Sequence, residues 1–170
     1  MRNKYITATA LTLIAALQYC AAQKSENAPR LVVNITIDQL RTDFLESFES
    51  LYGDNGFKRL MTDGMMYSSV DFPFSPVDRA SAIATLNTGT TPNYNGIPAE
   101  QWFDRTVLRS VSCVDDTNFK GLLTSETASA QNVLTTTLSD ELKISTKGKS
   151  LIYSIAERKD AAVIPTGHNG

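Results

Sequence analysis

The chain has 170 residues, 42% of them hydrophobic and 20% charged, which suits one globular domain rather than a disordered or fibrous polypeptide. A formal net charge of −2 gives no electrostatic ground for a nucleic-acid partner or an acidic membrane surface.

At the N-terminus, Arg2 and Lys4 precede an apolar run from Tyr5 to Leu17, followed by Cys20-Ala21-Ala22-Gln23. A basic start, a short apolar core and small residues before a break describe a secretory leader. The expected organisation is therefore a signal peptide over residues 1–22, cleaved after Ala22, a linker over 23–30, and an α/β domain over 31–170. The apolar run is too short to serve as an integral membrane segment. Lipid attachment at Cys20 is disfavoured by the bulky Tyr19 before it. Cys113 is the other cysteine, so no disulfide forms within the mature chain, and its thiol is expected to be buried and inert.

The β-branched run Leu31-Val32-Val33-Asn34-Ile35-Thr36-Ile37-Asp38 predicts a strand buried on both faces. Asp38 closes it, either as a carboxylate at the carboxyl end of a strand or as a cap for the next helix. Arg41 to Leu51 predicts an amphipathic helix, with Phe44, Leu45, Phe48 and Leu51 at helical spacing. A turn over 52–56 leads into a short helix starting at Phe57 and closed by Asp63-Gly64. Met65 to Phe72 predicts a strand, and Pro73 to Pro76 a loop. Ala80 to Leu86 is a run of small and apolar residues ended by Thr88-Gly89, which predicts a helix whose first turn offers backbone N–H groups to an anion. Further on, Val107–Val114, Ser150–Ile155 and Ala161–Ile164 predict strands, and Asn132 to Leu142 a helix. Strands alternating with helices predict a mostly parallel sheet with helices on both faces.

Pro76, Thr88-Gly89, Pro92 and Gly96-Ile97 keep the spacing of the nucleophile helix in the alkaline phosphatase superfamily, where a Pro-Thr-x-Thr segment, a short helix, Thr-Gly, a Pro and His-Gly-Ile follow one another. The Ile37-Asp38-Gln39-Leu40-Arg41, Gly56–Met61, Glu100–Asp104 and Asn132–Leu142 segments match the same frame. The chain thus resembles the N-terminal portion of the phosphodiesterase/nucleotide pyrophosphatase-like branch, nearest the phosphate-irrepressible alkaline phosphatases. The resemblance implies an incomplete alkaline-phosphatase-like core, two catalytic zinc ions, Asp38 as one zinc ligand, and a phosphoester or other anionic small molecule as ligand. It implies that most of the metal ligands lie beyond these residues.

The same register puts Arg79 where the family carries its nucleophilic threonine, and Glu100 where it carries a phosphate-holding asparagine. Arg158 and Asp160 take the places of a Lys and an Arg that lie two residues apart. Arg79 cannot attack phosphorus, and Glu100 and Asp160 repel a phosphate dianion. Arg79 is therefore expected to fill the former metal site as a fixed cation, paired with Asp38 and Glu100, or else to extend from the loop into water. Ser81 is a poor substitute for the nucleophile, on the wrong side of the helix with no base visible for it, and nothing beyond its position supports an aspartyl intermediate at Asp78. His168, in Pro165-Thr166-Gly167-His168, is expected to be structural rather than a ligand. The residues favour a periplasmic scaffold or binding protein with an impaired site, possessing either an unknown envelope partner or an anion-binding role. The family frame favours an exported zinc hydrolase.

Overall fold

The computed structural model describes residues 28–170, so the leader, its cleavage point and Cys20 lie outside the described residues. Asn34–Gly170 form one compact unit, and Ala28–Val33 belong to a separate one. Among the described residues the helices are α1 (Thr42–Ser47), α2 (Phe57–Asp63), α3 (Arg79–Thr88), α4 (Pro92–Asn95), α5 (Leu138–Ser145) and α6 (Lys159–Thr166). Short 3₁₀ turns follow α1 (Glu49–Leu51) and α6 (Gly167–Asn169). Two strands, β1 (Gln101–Asp104) and β2 (Arg109–Ser112), form an antiparallel hairpin that pairs Gln101 with Ser112 and Asp104 with Arg109.

The core gathers on α3. Its small side chains Ala80 and Ala84, with Ile83, pack against Ile97, Cys113, Val114, Ala130, Val133 and Ile164. Alanines at this spacing let neighbouring backbone come close, and α6 lies against α3 through Ile164. Trp102 covers the edge of this cluster as a packing residue. Cys113 is fully buried, and burial pushes its thiol up to about 11, so it is inert at neutral pH.

Local sequence fixes where the helices start and stop. Asp78 and Ser81 form a reciprocal capping box at the head of α3, and Gly89 ends the helix in the left-handed region with φ 68°. Thr137 and Asp140 form a second capping box, so α5 starts at Leu138 and not at Asn132. Before it, the backbone of Leu134 donates to the carbonyl of Asn95, which ties residues 132–137 to α4 as a loop. Gly96 makes this approach possible: its φ is 80°, and a Cβ there would lie 2.7 Å from the Leu134 side chain and 2.8 Å from the Asn132 carbonyl oxygen. Gly96→Ala is expected to cost about 1–3 kcal/mol, combining left-handed strain with a backbone clash, read as a lowered thermal midpoint.

The expected parallel sheet is not formed as a ladder among the described residues. Segments 31–38, 65–72 and 150–155 carry no strand, and most of their apolar side chains, including Ile35, Val70, Leu151 and Ile155, are exposed. Their composition suits an extended chain, but a strand exists only where a neighbour supplies hydrogen bonds and packing. The predicted strand over 107–114 is real but shorter, as β2. Ala161–Ile164, predicted as a strand, lies inside α6. The predicted helix over 41–51 breaks into α1 and a 3₁₀ turn, and Phe44, Phe48 and Leu51 are exposed, so its apolar stripe has no cover here. No helix among the described residues is long and apolar enough to cross a membrane.

Candidate functional site

Arg79 is the first residue of α3, directly after its cap. Asp78 accepts from the Ser81 backbone N–H through Oδ1 (2.8 Å) and from the Glu100 backbone N–H through Oδ2 (2.6 Å). Burial raises the Asp78 carboxyl, but the backbone N–H groups of Ser81 and Glu100 outweigh it and hold the group below the usual carboxylate range. The head of α3 is thus filled by a carboxylate of the chain itself. Ser81 is fully buried; its hydroxyl accepts from the Asp78 N–H (3.0 Å) and donates to the Asp78 carbonyl (3.1 Å). Neither residue is free to act as a nucleophile.

With Asp78 fixing the Glu100 backbone, three segments converge. Arg79 Nη2 lies 2.7 Å from Glu100 Oε2. Arg79 Nε donates to Asp160 Oδ2 at 3.1 Å, and Nη2 to Asp160 Oδ1 at 3.3 Å, a forked contact on the first turn of α6. Arg158 Nη2 reaches the other oxygen of Glu100, Oε1, at 2.5 Å. The result is a chain of alternating sign, Asp160–Arg79–Glu100–Arg158. The Asp160 side chain is 5% exposed and the Arg79 side chain 26%, whereas that of Arg158 is 54% exposed. The network therefore runs from the interior to the surface. The hydrogen bond to Asp160 holds Arg79 more firmly charged than a free guanidinium.

Four of the five site residues expected from sequence come together; Asp38 does not. It sits exposed in a turn with Gln39, whose φ is 59°, and neither pairs with Arg79 nor caps α1, which begins after Arg41. The second carboxylate on Arg79 is Asp160, because α6 packs on α3 and brings its first turn to the guanidinium. Nearby, Asn34 donates to the Asn87 side chain at 3.1 Å, which fixes the start of the 34–38 segment on the far end of α3 from Arg79.

A second polar cluster lies under α5. Asp140, 1% exposed, accepts from the Thr137 N–H and hydroxyl and from His168 Nδ1 through Oδ2, each at 3.0 Å. Its Oδ1 accepts from the His168 N–H (2.9 Å) and Asn169 Nδ2 (3.0 Å). Burial raises this carboxyl, but the Thr137 N–H and hydroxyl and the His168 and Asn169 side chains bring it far below the usual range. Sequence reasoning missed this cluster and the role of Asp78, although the spacings Asp78-x-x-Ser81 and Thr137-x-x-Asp140 carry the signal. His168 meets Asp140 through both its ring and its backbone N–H.

The residues present do not make a zinc site: no three His, Cys, Asp or Glu side chains converge among the described residues. Asp38 alone is no donor set.

Residues 32–159 match the family model described as type I phosphodiesterase / nucleotide pyrophosphatase. The chain belongs to that family. Alkaline phosphatase PhoV of Synechococcus elongatus is 37% identical over 143 residues, 82% of this chain and 26% of PhoV. The crystal structure of wild-type alkaline phosphatase PafA matches with a TM-score of 0.78 at 30% identity, covering 82% of this chain and 28% of PafA. A PafA variant with one threonine, one asparagine, one lysine and one arginine substituted matches with a TM-score of 0.74 at 29% identity, over 78% of this chain and 26% of that one. The first two substituted positions are spaced as Arg79 and Glu100 are, and the last two as Arg158 and Asp160 are. This family member therefore has the α/β fold of an alkaline-phosphatase-like core, of which it is the N-terminal part. It spans about a quarter of the length of the curated relatives it matches.

Proposed function

We propose that this protein is an exported, periplasmic member of the family whose nucleophile and phosphate-holding positions have been rebuilt into an ionic network, and that it serves as a scaffold or binding protein rather than an efficient hydrolase. The observation that carries this reading is the double clamp on Arg79. A nucleophile must offer a lone pair to phosphorus, and a guanidinium stays protonated and offers none. Phosphoryl transfer depends on positioned positive charge around the nonbridging oxygens. Here both cations are already neutralised by Glu100 and Asp160.

The spacing shared with the PafA variant supports assigning Arg79, Glu100, Arg158 and Asp160 to one ancestral site. The basic, apolar N-terminal run supports export. An anionic small molecule remains the ligand class in keeping with the half-exposed Arg158, and the reading includes no nucleic-acid partner.

Kinetic assay of the zinc-loaded protein on an aryl phosphate and an aryl phosphodiester tests the proposal. The expected rate is that of the buffer. Metal-dependent turnover by the unaltered protein would overturn it in favour of an active zinc hydrolase, the reading that the names of its relatives support. The combined change Arg79→Thr, Glu100→Asn, Arg158→Lys and Asp160→Arg runs beside it. Activity gained only in that variant would show that the remaining machinery survives elsewhere in the protein.

A further inference from the structure

His168 stands outside the Arg79 network, yet its ring has an arrangement that a neutral imidazole cannot satisfy. Nδ1 lies 3.0 Å from Asp140 Oδ2, and Nε2 lies 2.8 Å from the Val133 carbonyl oxygen. Both partners are acceptors. A neutral ring carries one N–H and one lone pair, so one contact would set a lone pair against an oxygen. Only the imidazolium donates to both.

The turn that carries His168 is built for this contact. Gly167 has φ 68°, and a Cβ there would fall 2.3 Å from Thr137 Oγ1 and 2.4 Å from Asp140 Oδ2. The backbone after α6 can thus approach Asp140 closely enough for the His168 N–H to bond it. Ser139 also donates to the Pro165 carbonyl at 2.6 Å, joining the head of α5 to the last turn of α6. The opposite end of α6 carries Asp160, the inner partner of Arg79.

We propose that His168, as an imidazolium, is the positioning residue of the Arg79 network: it pins the end of α6 to Asp140 and Val133 and so holds Asp160 against Arg79. Raising the pH until His168 loses its proton releases the pin and loosens that pair.

The elements packed against His168 carry Asp140, Glu141 and Lys143 on α5, and Lys159 and Asp160 on α6. Of these charged groups only Asp140 contacts the ring, and residues 130–136 carry none. The hydrogen bond to Asp140, followed in weight by the opposing effect of burial and the bond to Val133, raises the His168 pKa above its ordinary value. A raised folded-state pKa gives stabilisation that is complete below the unfolded value of about 6.5 and lost as pH rises through the folded one.

The test is an NMR titration of the intact protein, following the His168 Cε1–H resonance, assigned by through-space transfer to Val133 and Gly167. In the same samples the Arg79 Nε–H resonance reports its bond to Asp160. The expected result is a His168 midpoint above the ordinary imidazole value, with the Arg79 signal shifting or broadening along the same curve. Asp140→Asn should bring the His168 midpoint down. A midpoint at or below the ordinary value would overturn the imidazolium. An Arg79 signal indifferent to the His168 titration would overturn the positioning role while leaving a local pin.

Discussion

Asp140→Ala is expected to be among the most damaging single substitutions in the described chain, costing about 3–5 kcal/mol in urea unfolding at neutral pH. The change deletes no large apolar group. It strands the donors that now converge on one buried carboxylate: the N–H and hydroxyl of Thr137, the N–H and ring of His168, and the Asn169 amide. It also removes half of the capping box that starts α5. Because the folded-state pKa of Asp140 is depressed, its contribution is present above the unfolded carboxylate value of about 3.9 and fades as pH falls through the folded one. The gap between the two proteins should thus widen from neutrality to below about pH 6.5 as His168 becomes fully protonated, and shrink only in strong acid. Asp140→Asn keeps the size and some acceptor capacity, and should cost roughly half as much. A loss below about 1 kcal/mol for the alanine variant would mean that water replaces the carboxylate at little cost.

The Arg79 network was legible in part, whereas the Asp140 cluster was missed, although the Thr137-x-x-Asp140 spacing carries its signal. The helix from Ala80 to Leu86 and its glycine stop were readable because small side chains, a cap and Gly89 all speak locally. The meeting of Arg79 with Glu100 was readable because the family frame fixes both positions. Its third partner was not, since Asp160 reaches Arg79 only when α6 packs on α3, and a stretch reading Ala-Ala-Val-Ile looks like a strand until that packing makes it helical. Asp38 shows the reverse problem. Its place at the end of a β-branched run implied a strand terminus, but 31–38 has no ladder here, so the carboxylate stands in an exposed turn. Segments whose conformation depends on a neighbour are the ones that sequence pattern alone misplaces.

That dependence on packing sets the second large effect, at the inner end of the ionic chain. Asp160→Ala is expected to lower stability by about 2–3 kcal/mol, below the range for breaking a fully buried pair because Arg79 remains in partial contact with water and keeps Glu100. Arg79→Met should cost about 1–2 kcal/mol, since the Asp160 carboxylate still lies in the first turn of α6, where the helix N-terminus favours it. The combined Arg79→Met/Asp160→Ala protein should be about as stable as Asp160→Ala alone, leaving a coupling energy of about 1–2 kcal/mol in the cycle. At the outer end, Arg158→Ala should change stability by no more than about 0.5 kcal/mol, because its pair with Glu100 is open to solvent. Urea unfolding of the four variants beside the unaltered protein decides between two origins for the network. Strong coupling inside and a negligible effect of Arg158→Ala outside would support Arg79 and Asp160 as a structural pair in place of the family's chemistry. Additive effects throughout would mean that the pair contributes nothing jointly, and that its persistence must be explained by a ligand that Arg79 and Arg158 bind together.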